Sequence, residues 1–238
     1  MPQPLLEEPN TLHEATIRSR PNRFILEVEF KNGTTDEIYL ANTGARTPIQ
    51  PGRTVLAREA TNPDRKTDYD AVFVKTDSTW ISIIATAAND AFEAALERDL
   101  LPPFKNYDLI ETEPTLPSGG RADFKLETPD GDHALVEVKS CTHADDGVAK
   151  FPDRPTERGR RHLRELMDHV ESGHEAHVVF VIQRDDADEF APFRSVDPEF
   201  ADTLVEADAA GVHLHAIQLR VEPPAVYLHE TAVPITLE

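Results

Sequence analysis

The chain has 238 residues, enough for one large or two small domains, and its 44 acidic against 24 basic residues give a formal net charge of −20. One cysteine, Cys141, excludes a disulfide framework and fits a reducing, cytoplasmic compartment. No window approaches the roughly 18 apolar residues of a membrane helix, and the start MPQPLLEEPN has neither a basic nor an apolar leader region, so no membrane span and no signal peptide are expected.

Residues 1–85 read as an all-β unit. Short β-rich runs at 13–20, 24–31, 35–40, 53–59, 71–76 and 80–85 are separated by turn residues such as Asn-Gly, Asn-Thr-Gly and Pro-Gly. Such strands in about 80 residues suit a small closed barrel of the OB type, whose strand face and loops bind nucleic acid in many proteins. Trp80 reads as a core residue and Asn42-Thr43-Gly44 as a turn.

From residue 86 the texture changes to an α/β layered domain, 86–238. Apolar residues at helical spacing predict a helix over 87–100, stopped by Pro102-Pro103. A strand at 107–112, a turn and a hairpin follow. Thr156 is a suitable N-cap for a helix that ends at Gly173, with Leu163, Leu166, Met167 and Val170 as its buried stripe. AHVVFVIQ at 176–183 is a continuous apolar run typical of a central strand. Asp197-Pro198 opens another helix to about residue 210, and strands at 212–219 and 225–228 complete a mixed sheet.

The hairpin RADFKLETPDGDHALVEVKS at 121–140 carries the chemistry. Pro129-Asp130-Gly131 fits a three-residue loop, so Thr128 faces Asp132. That register puts Ala122, Phe124 and Leu126 opposite Val138, Val136 and Ala134 on one face. On the other it sets Asp123 opposite Glu137, with Lys139 two residues along. Facing Cβ atoms are roughly 4.5–5.5 Å apart and like charges there destabilise a sheet. A divalent cation between the carboxylates resolves the conflict, since Mg2+ or Mn2+ takes one or two carboxylates and leaves its other positions to water and substrate phosphate. Lys139 is placed to position water or to stabilise charge on the phosphate. The alternative is that Glu137 and Lys139 line the wet face of a half-exposed strand.

A chain this acidic argues at first sight against a nucleic-acid partner, but the distribution of charge outweighs the sum. The segment KFPDRPTERGRRHLR at 150–164 holds six basic and two acidic residues, and Arg18, Arg20 and Arg23 share a window without an acid. Basic residues in the first turns of a helix oppose its dipole, a conflict that a bound phosphate relieves. The expected nucleic-acid contacts are Arg18, Arg20, Arg23, Lys150, Arg158 and Arg161. The acidic excess itself, with 7 Lys against 17 Arg, reads as a halophilic adaptation to molar salt, where the Debye length is only about 3 Å. Ten histidines show neither HExxH nor a cysteine partner, so zinc is not expected. Serine-hydrolase, P-loop and dinucleotide motifs are absent.

The order of elements, with Asp on one strand and Glu-x-Lys on the next, resembles the PD-(D/E)XK nuclease superfamily. RPNRFILEVEF, ANTG, RADF, VEVKS, DGVAKFPDRPTERGRRHLREL and VVFVIQR resemble the sugar fermentation stimulation protein family over most of the chain. The resemblance implies an OB-like N-terminal barrel and a restriction-endonuclease-like C-terminal domain. It also implies DNA binding and divalent-metal-dependent nuclease activity, with the acidic pair and lysine falling on Asp123, Glu137 and Lys139. Residues 79–96 lack the Asn-Arg element expected of the family, and Ala45-Arg46 stands where a hydrophobic residue usually follows Asn-Thr-Gly. Glu93 is weighed as an extra helix carboxylate against a solvated helix face. The expected function is therefore a metal-dependent nuclease acting on DNA, or RNA as well. A non-cleaving DNA-binding regulator of sugar metabolism is the alternative. The oligomeric state is left open, a homodimer included.

Overall fold

A computed structural model describes residues 3–42, 44–62, 65–116, 119–128 and 130–237. Its first strand, β1 (Leu6–Glu7), belongs to a sheet formed much later in the chain. The next six are β2 (His13–Asn22), β3 (Ile25–Phe30), β4 (Thr35–Tyr39), β5 (Thr54–Glu59), β6 (Tyr69–Lys75) and β7 (Trp80–Ser82). They run in the order β4-β3-β2-β5-β6-β7, and a parallel contact between Tyr39 of β4 and Asp70 of β6 closes the first five into a barrel. Period-2 alternation sends Ala15, Ile17, Leu26, Val28, Ile38, Val55 and Val74 inward. Register slips between Ile17 and Asn22 bend β2, so that one strand can serve both neighbours. Thr43, in the Asn-Thr-Gly segment, lies outside the described residues.

The second domain begins with α1 (Ala87–Leu96). This helix is shorter than its sequence spacing predicts. Asp99 takes a left-handed φ of 54°, Leu100 N–H returns to Ala95 O at 3.0 Å, and Leu100 points outward. There follow β8 (Asp108–Thr112), β9 (Phe124–Glu127), β10 (His133–Cys141), β11 (His143–Asp145), β12 (Val148–Phe151), α2 (Glu157–Glu171), β13 (Glu175–Ile182), β14 (Glu189–Pro192), α3 (Pro198–Ala209), β15 (His213–Glu222) and β16 (Ala225–Glu230). The large sheet runs β1-β16-β15-β13-β10-β9-β8. Its centre, β10-β13-β15, is parallel and buried on both faces, and its flanks are antiparallel. One face packs on α1 through Phe92, Val136, Val179 and Ile217. The other packs on α2 and α3 through Leu163, Phe180, Phe200 and Leu204. The small sheet β11-β12-β14 was not apparent from the sequence.

Thr156 is the N-cap of α2, its hydroxyl accepting Gly159 N–H at 3.0 Å. The anion expected at this helix end is supplied from within the chain. Asp197 accepts Thr156 N–H at 2.7 Å and binds Arg160 through both carboxylate oxygens at 2.8 Å, while capping α3 through Phe200 N–H at 2.9 Å. The dipole conflict therefore no longer argues for a bound phosphate.

The barrel is fixed to the second domain by shared core. Leu56, Val72 and Phe73 join the same apolar cluster as Phe92, Val181 and Ile217. Nearer the site, Arg46 N–H donates to Asp153 at 3.0 Å. Gly44 permits this approach, because a Cβ there would lie 3.0 Å from Asn42 Oδ1 and 3.3 Å from Asp153 Oδ1.

On β13, in register with Val136 of β10, His177 lies with its Nδ1 3.1 Å from His215 Nε2, beside the Phe104 ring. Burial, then the neighbouring histidines, lowers His177 from the ordinary 6.5 to about 3 and His215 to about 4. Both are neutral in the native state, whereas the unfolded chain protonates them near their ordinary value. Their contribution is present above pH ~6.5 and is lost as pH falls toward about 3. Urea unfolding of wild type and His177→Gln between pH 7 and pH 4 should show the gap between the two proteins changing as pH falls, with the wild type losing stability more steeply. Parallel curves would contradict this.

Candidate active site

Along β10 the side chains alternate. Ala134, Val136 and Val138 pack toward α1, and Leu135 and Cys141 toward α2. Glu137 and Lys139 share the α2 side and are only 3% and 9% exposed, so the wet-face alternative does not describe them. Burying two charges is costly unless they are paired and hydrogen-bonded. Glu137 Oε1 accepts from Lys139 Nζ and meets His162 Nδ1 of α2. Arg158, one turn earlier, donates through Nε to His162 Nε2 at 3.2 Å. That bond makes Nε2 the acceptor and leaves Nδ1–H to face the carboxylate. Burial pushes the Glu137 carboxyl up, but Lys139 and His162 together hold it below its ordinary value.

Asp123 reaches the same place by a different route from the expected one. The β9–β10 ladder runs from Glu127↔His133 to Phe124↔Val136 and stops there. The loop has the expected form where it is described: Gly131 has φ 85° and its N–H returns to Thr128 O at 2.9 Å, while Pro129 lies outside the described residues. Beyond Phe124 the chain bends. Asp123 N–H bonds to Val136 O at 3.2 Å, and the Asp123 carboxylate accepts Val138 N–H at 2.7 Å, in the position of the missing strand acceptor. Asp123 is thus not the cross-strand partner of Glu137, and Ala122 turns to the opposite face from Phe124. The carboxylates still feel each other. Burial and then the Glu137 charge raise the Asp123 carboxyl, opposed by Lys139, the Val138 N–H and a hydrogen bond from Asn89 of α1. Glu93, one turn after Asn89, is half-buried.

The expected nucleic-acid contacts divide. Lys150 lines a cavity of about 200 Å3 with Lys139, Asn42, Ala45, Asp153 and Arg154. Arg20 and Arg23 line an adjoining recess. Arg158 holds His162, Arg161 is exposed 3.8 Å from Glu165, and Arg18 pairs with Glu29 on the outside of the barrel. Three residues at the site were not assigned from sequence: His162, Asn89 and Arg154. His162 was legible in part, since it lies between Gly159 and Leu166 on the buried stripe, where a polar residue needs a partner.

The model of the sugar fermentation stimulation protein RE domain matches residues 86–225, and that of the family's N-terminal OB domain matches residues 19–83. The chain belongs to the sugar fermentation stimulation protein family. A sugar fermentation stimulation protein homolog from Moorella thermoacetica is 43% identical over 226 residues, covering 94% of this chain and 97% of that protein. One from Bdellovibrio bacteriovorus is 34% identical over 238 residues, covering 95% and 98%. The solved structure of Pyrococcus furiosus SfsA in complex with Ca2+ has a TM-score of 0.89 at 28% identity, covering 98% of this chain and 99% of that one. The fold is accordingly that of the family: an N-terminal OB barrel followed by its RE domain, an α/β domain built on a mixed sheet.

The cysteine of this family member, Cys141, is buried. Burial pushes the Cys141 thiol to about 12, which suits a packing role rather than a nucleophile. Among the described residues no three His, Cys, Asp or Glu side chains form a metal cluster, and no helix is long and apolar enough to cross a membrane. The Asp123–Glu137 pair nonetheless fits a magnesium-type ion, which needs only one or two protein carboxylates. A cation there would offset both the burial and the mutual repulsion that raise Asp123. Because Glu137 and Lys139 are buried partners, Glu137→Gln and Lys139→Met should each lower the unfolding free energy by roughly 3 kcal/mol. The double variant should lose clearly less than the sum. Additive losses in denaturant unfolding would contradict the pairing.

Proposed function

We propose that this protein is a divalent-metal-dependent nuclease, with the OB-like domain within residues 1–85, less β1, which pairs with β16 in the sheet of the second domain, and with residues 86–238 as the catalytic one. The observation that carries the reading is the convergence of half-buried Asp123 with buried Glu137 and Lys139, with Asn89 and His162 holding the two acids. Asp123 and Glu137 would hold Mg2+ or Mn2+. When bound, such an ion supplies charge neutralisation on a phosphoryl oxygen and a more acidic water. The Ca2+ complex of the Pyrococcus furiosus relative supports a site for a hard, oxygen-preferring cation.

The chain's own residues supply the rest. Lys139 presents an ammonium that orients water or meets the developing negative charge on the phosphate, and the buried surroundings strengthen that interaction. His162, oriented by Arg158, keeps the Glu137 carboxylate ionised and aimed. Lys150 and the neighbouring arginines place the nucleic-acid backbone, and we read the acidic remainder of the surface as adaptation to molar salt. A second reading, a DNA-binding regulator that retains the nuclease fold without cleaving, draws on one observation. The Glu137 carboxylate is already held by Lys139 and His162.

Purified protein incubated in molar salt with single- and double-stranded DNA and RNA should give product with Mn2+ or Mg2+ and none with EDTA. Glu137→Ala and Lys139→Ala should each lower the rate by about 10²-fold or more. Cleavage that survives both substitutions would refute the site, and binding without cleavage under every metal condition would select the regulator.

A further inference from the structure

Where the end of β2 and the β2–β3 turn meet the segment between β12 and α2, a recess of about 390 Å3 is lined by Arg20, Asn22, Arg23, Arg46 and Arg154. Four guanidinium groups gather there in a chain of formal charge −20. They come from three stretches: Arg20 lies near the end of β2 and Arg23 in the β2–β3 turn, Arg46 follows β4, and Arg154 follows β12. The barrel and the catalytic domain both contribute.

The recess is built rather than accidental. Arg20 is held in place by donating to the backbone oxygens of Arg23 at 3.2 Å and of Asn42 and Ala45 at 3.4 Å. Arg23 lies over the Phe24 ring at 4.7 Å. Burial, then Arg46 and Arg154, lowers the Arg20 pKa, while Asp153 favours the cation. One oxygen of Asp153, the acid beside the cluster, accepts the Arg46 backbone N–H at 3.0 Å. Gathering like charges is unfavourable in the free protein and becomes favourable when an anion enters. Arg154 also lines the cavity that holds Lys139 and Lys150, so the recess borders the candidate active site through this residue.

We propose that this recess is a phosphate subsite, holding one phosphate of the nucleic-acid strand that runs from the barrel to Lys139. The inference rests on the nucleic-acid reading above and adds Arg46 and Arg154 to it. Planar guanidinium forks bind phosphate oxygens in pairs, which suits a recess better than a flat surface. The occupant is either an internal phosphodiester or the phosphomonoester at a strand end.

The test is fluorescence anisotropy of the full chain in EDTA, with a 3′-labelled single-stranded oligonucleotide carrying or lacking a 5′-phosphate, over a series of salt concentrations. Arg46 and Arg154 are exposed, so Arg46→Ala/Arg154→Ala should keep the wild-type melting curve, and Arg46→Lys/Arg154→Lys retains the charge if it does not. The alanine pair should weaken binding by about tenfold at low salt and flatten the log–log salt dependence by roughly 0.7, the loss of one phosphate contact. If removing the 5′-phosphate weakens wild type as much, and the alanine pair no further, the occupant is the strand end. If its removal changes nothing while the alanine pair still weakens binding, the occupant is internal. Affinity and salt slope unchanged in the alanine pair would overturn the subsite, as would a wild type that binds no oligonucleotide. A wild type that binds through these arginines but does not cleave with Mn2+ leaves the subsite standing and removes only the nuclease reading.

Discussion

The arrangement depends on one buried carboxylate. Glu137 lies inside the α/β domain with Lys139 on its own strand and His162 on the facing helix, and each needs the others to stay in that environment. An unpaired charge at this depth would be strongly destabilising. The packing of α2 on β10 is therefore tied to the chemistry: moving the helix removes a partner from the acid. Arg158 extends the tie to the protein surface by fixing the histidine ring.

Much of this was legible in the sequence, because the local signals and the fold agree. Thr156 and Asp197 announce the starts of α2 and α3, the run at 176–183 marks a central strand, and the loop at Gly131 sets the β9–β10 register. The place where extrapolation fails is the site itself. Extending the ladder past Phe124 puts Asp123 opposite Glu137, yet the chain bends and the Asp123 carboxylate takes the place of a backbone acceptor for Val138. A side chain that replaces a ladder bond leaves no trace in period-2 alternation. Asn89 was equally hidden, and the stripe of α2 showed that His162 needs a partner without saying which, since tertiary packing alone brings α1 and α2 to the same strand. Basic residues at the start of α2 were misleading in the opposite way. Asp197, 37 residues on, answers the charge of Arg160 and takes the Thr156 N–H at the helix start.

The two domains are not independent modules joined by a linker. Barrel residues share the apolar cluster beneath α1, and the barrel loop at 44–46 touches Asp153. This contact brings arginines of the barrel beside the cavity of Lys139, so a strongly acidic chain still has a local positive path. Net charge describes solubility and long-range repulsion, while the juxtaposition of loops decides what a cleft attracts. The family's two domain models match the two units on either side of that contact.

The most direct measurement is a crystal grown with Mn2+, with diffraction recorded at a wavelength where manganese scatters anomalously. One anomalous peak should lie within roughly 2.0–2.3 Å of carboxylate oxygens of both Asp123 and Glu137, with the remaining positions open to water. Well-ordered carboxylates without such a peak, and Glu137 held only by Lys139 and His162 at saturating Mn2+, would contradict this.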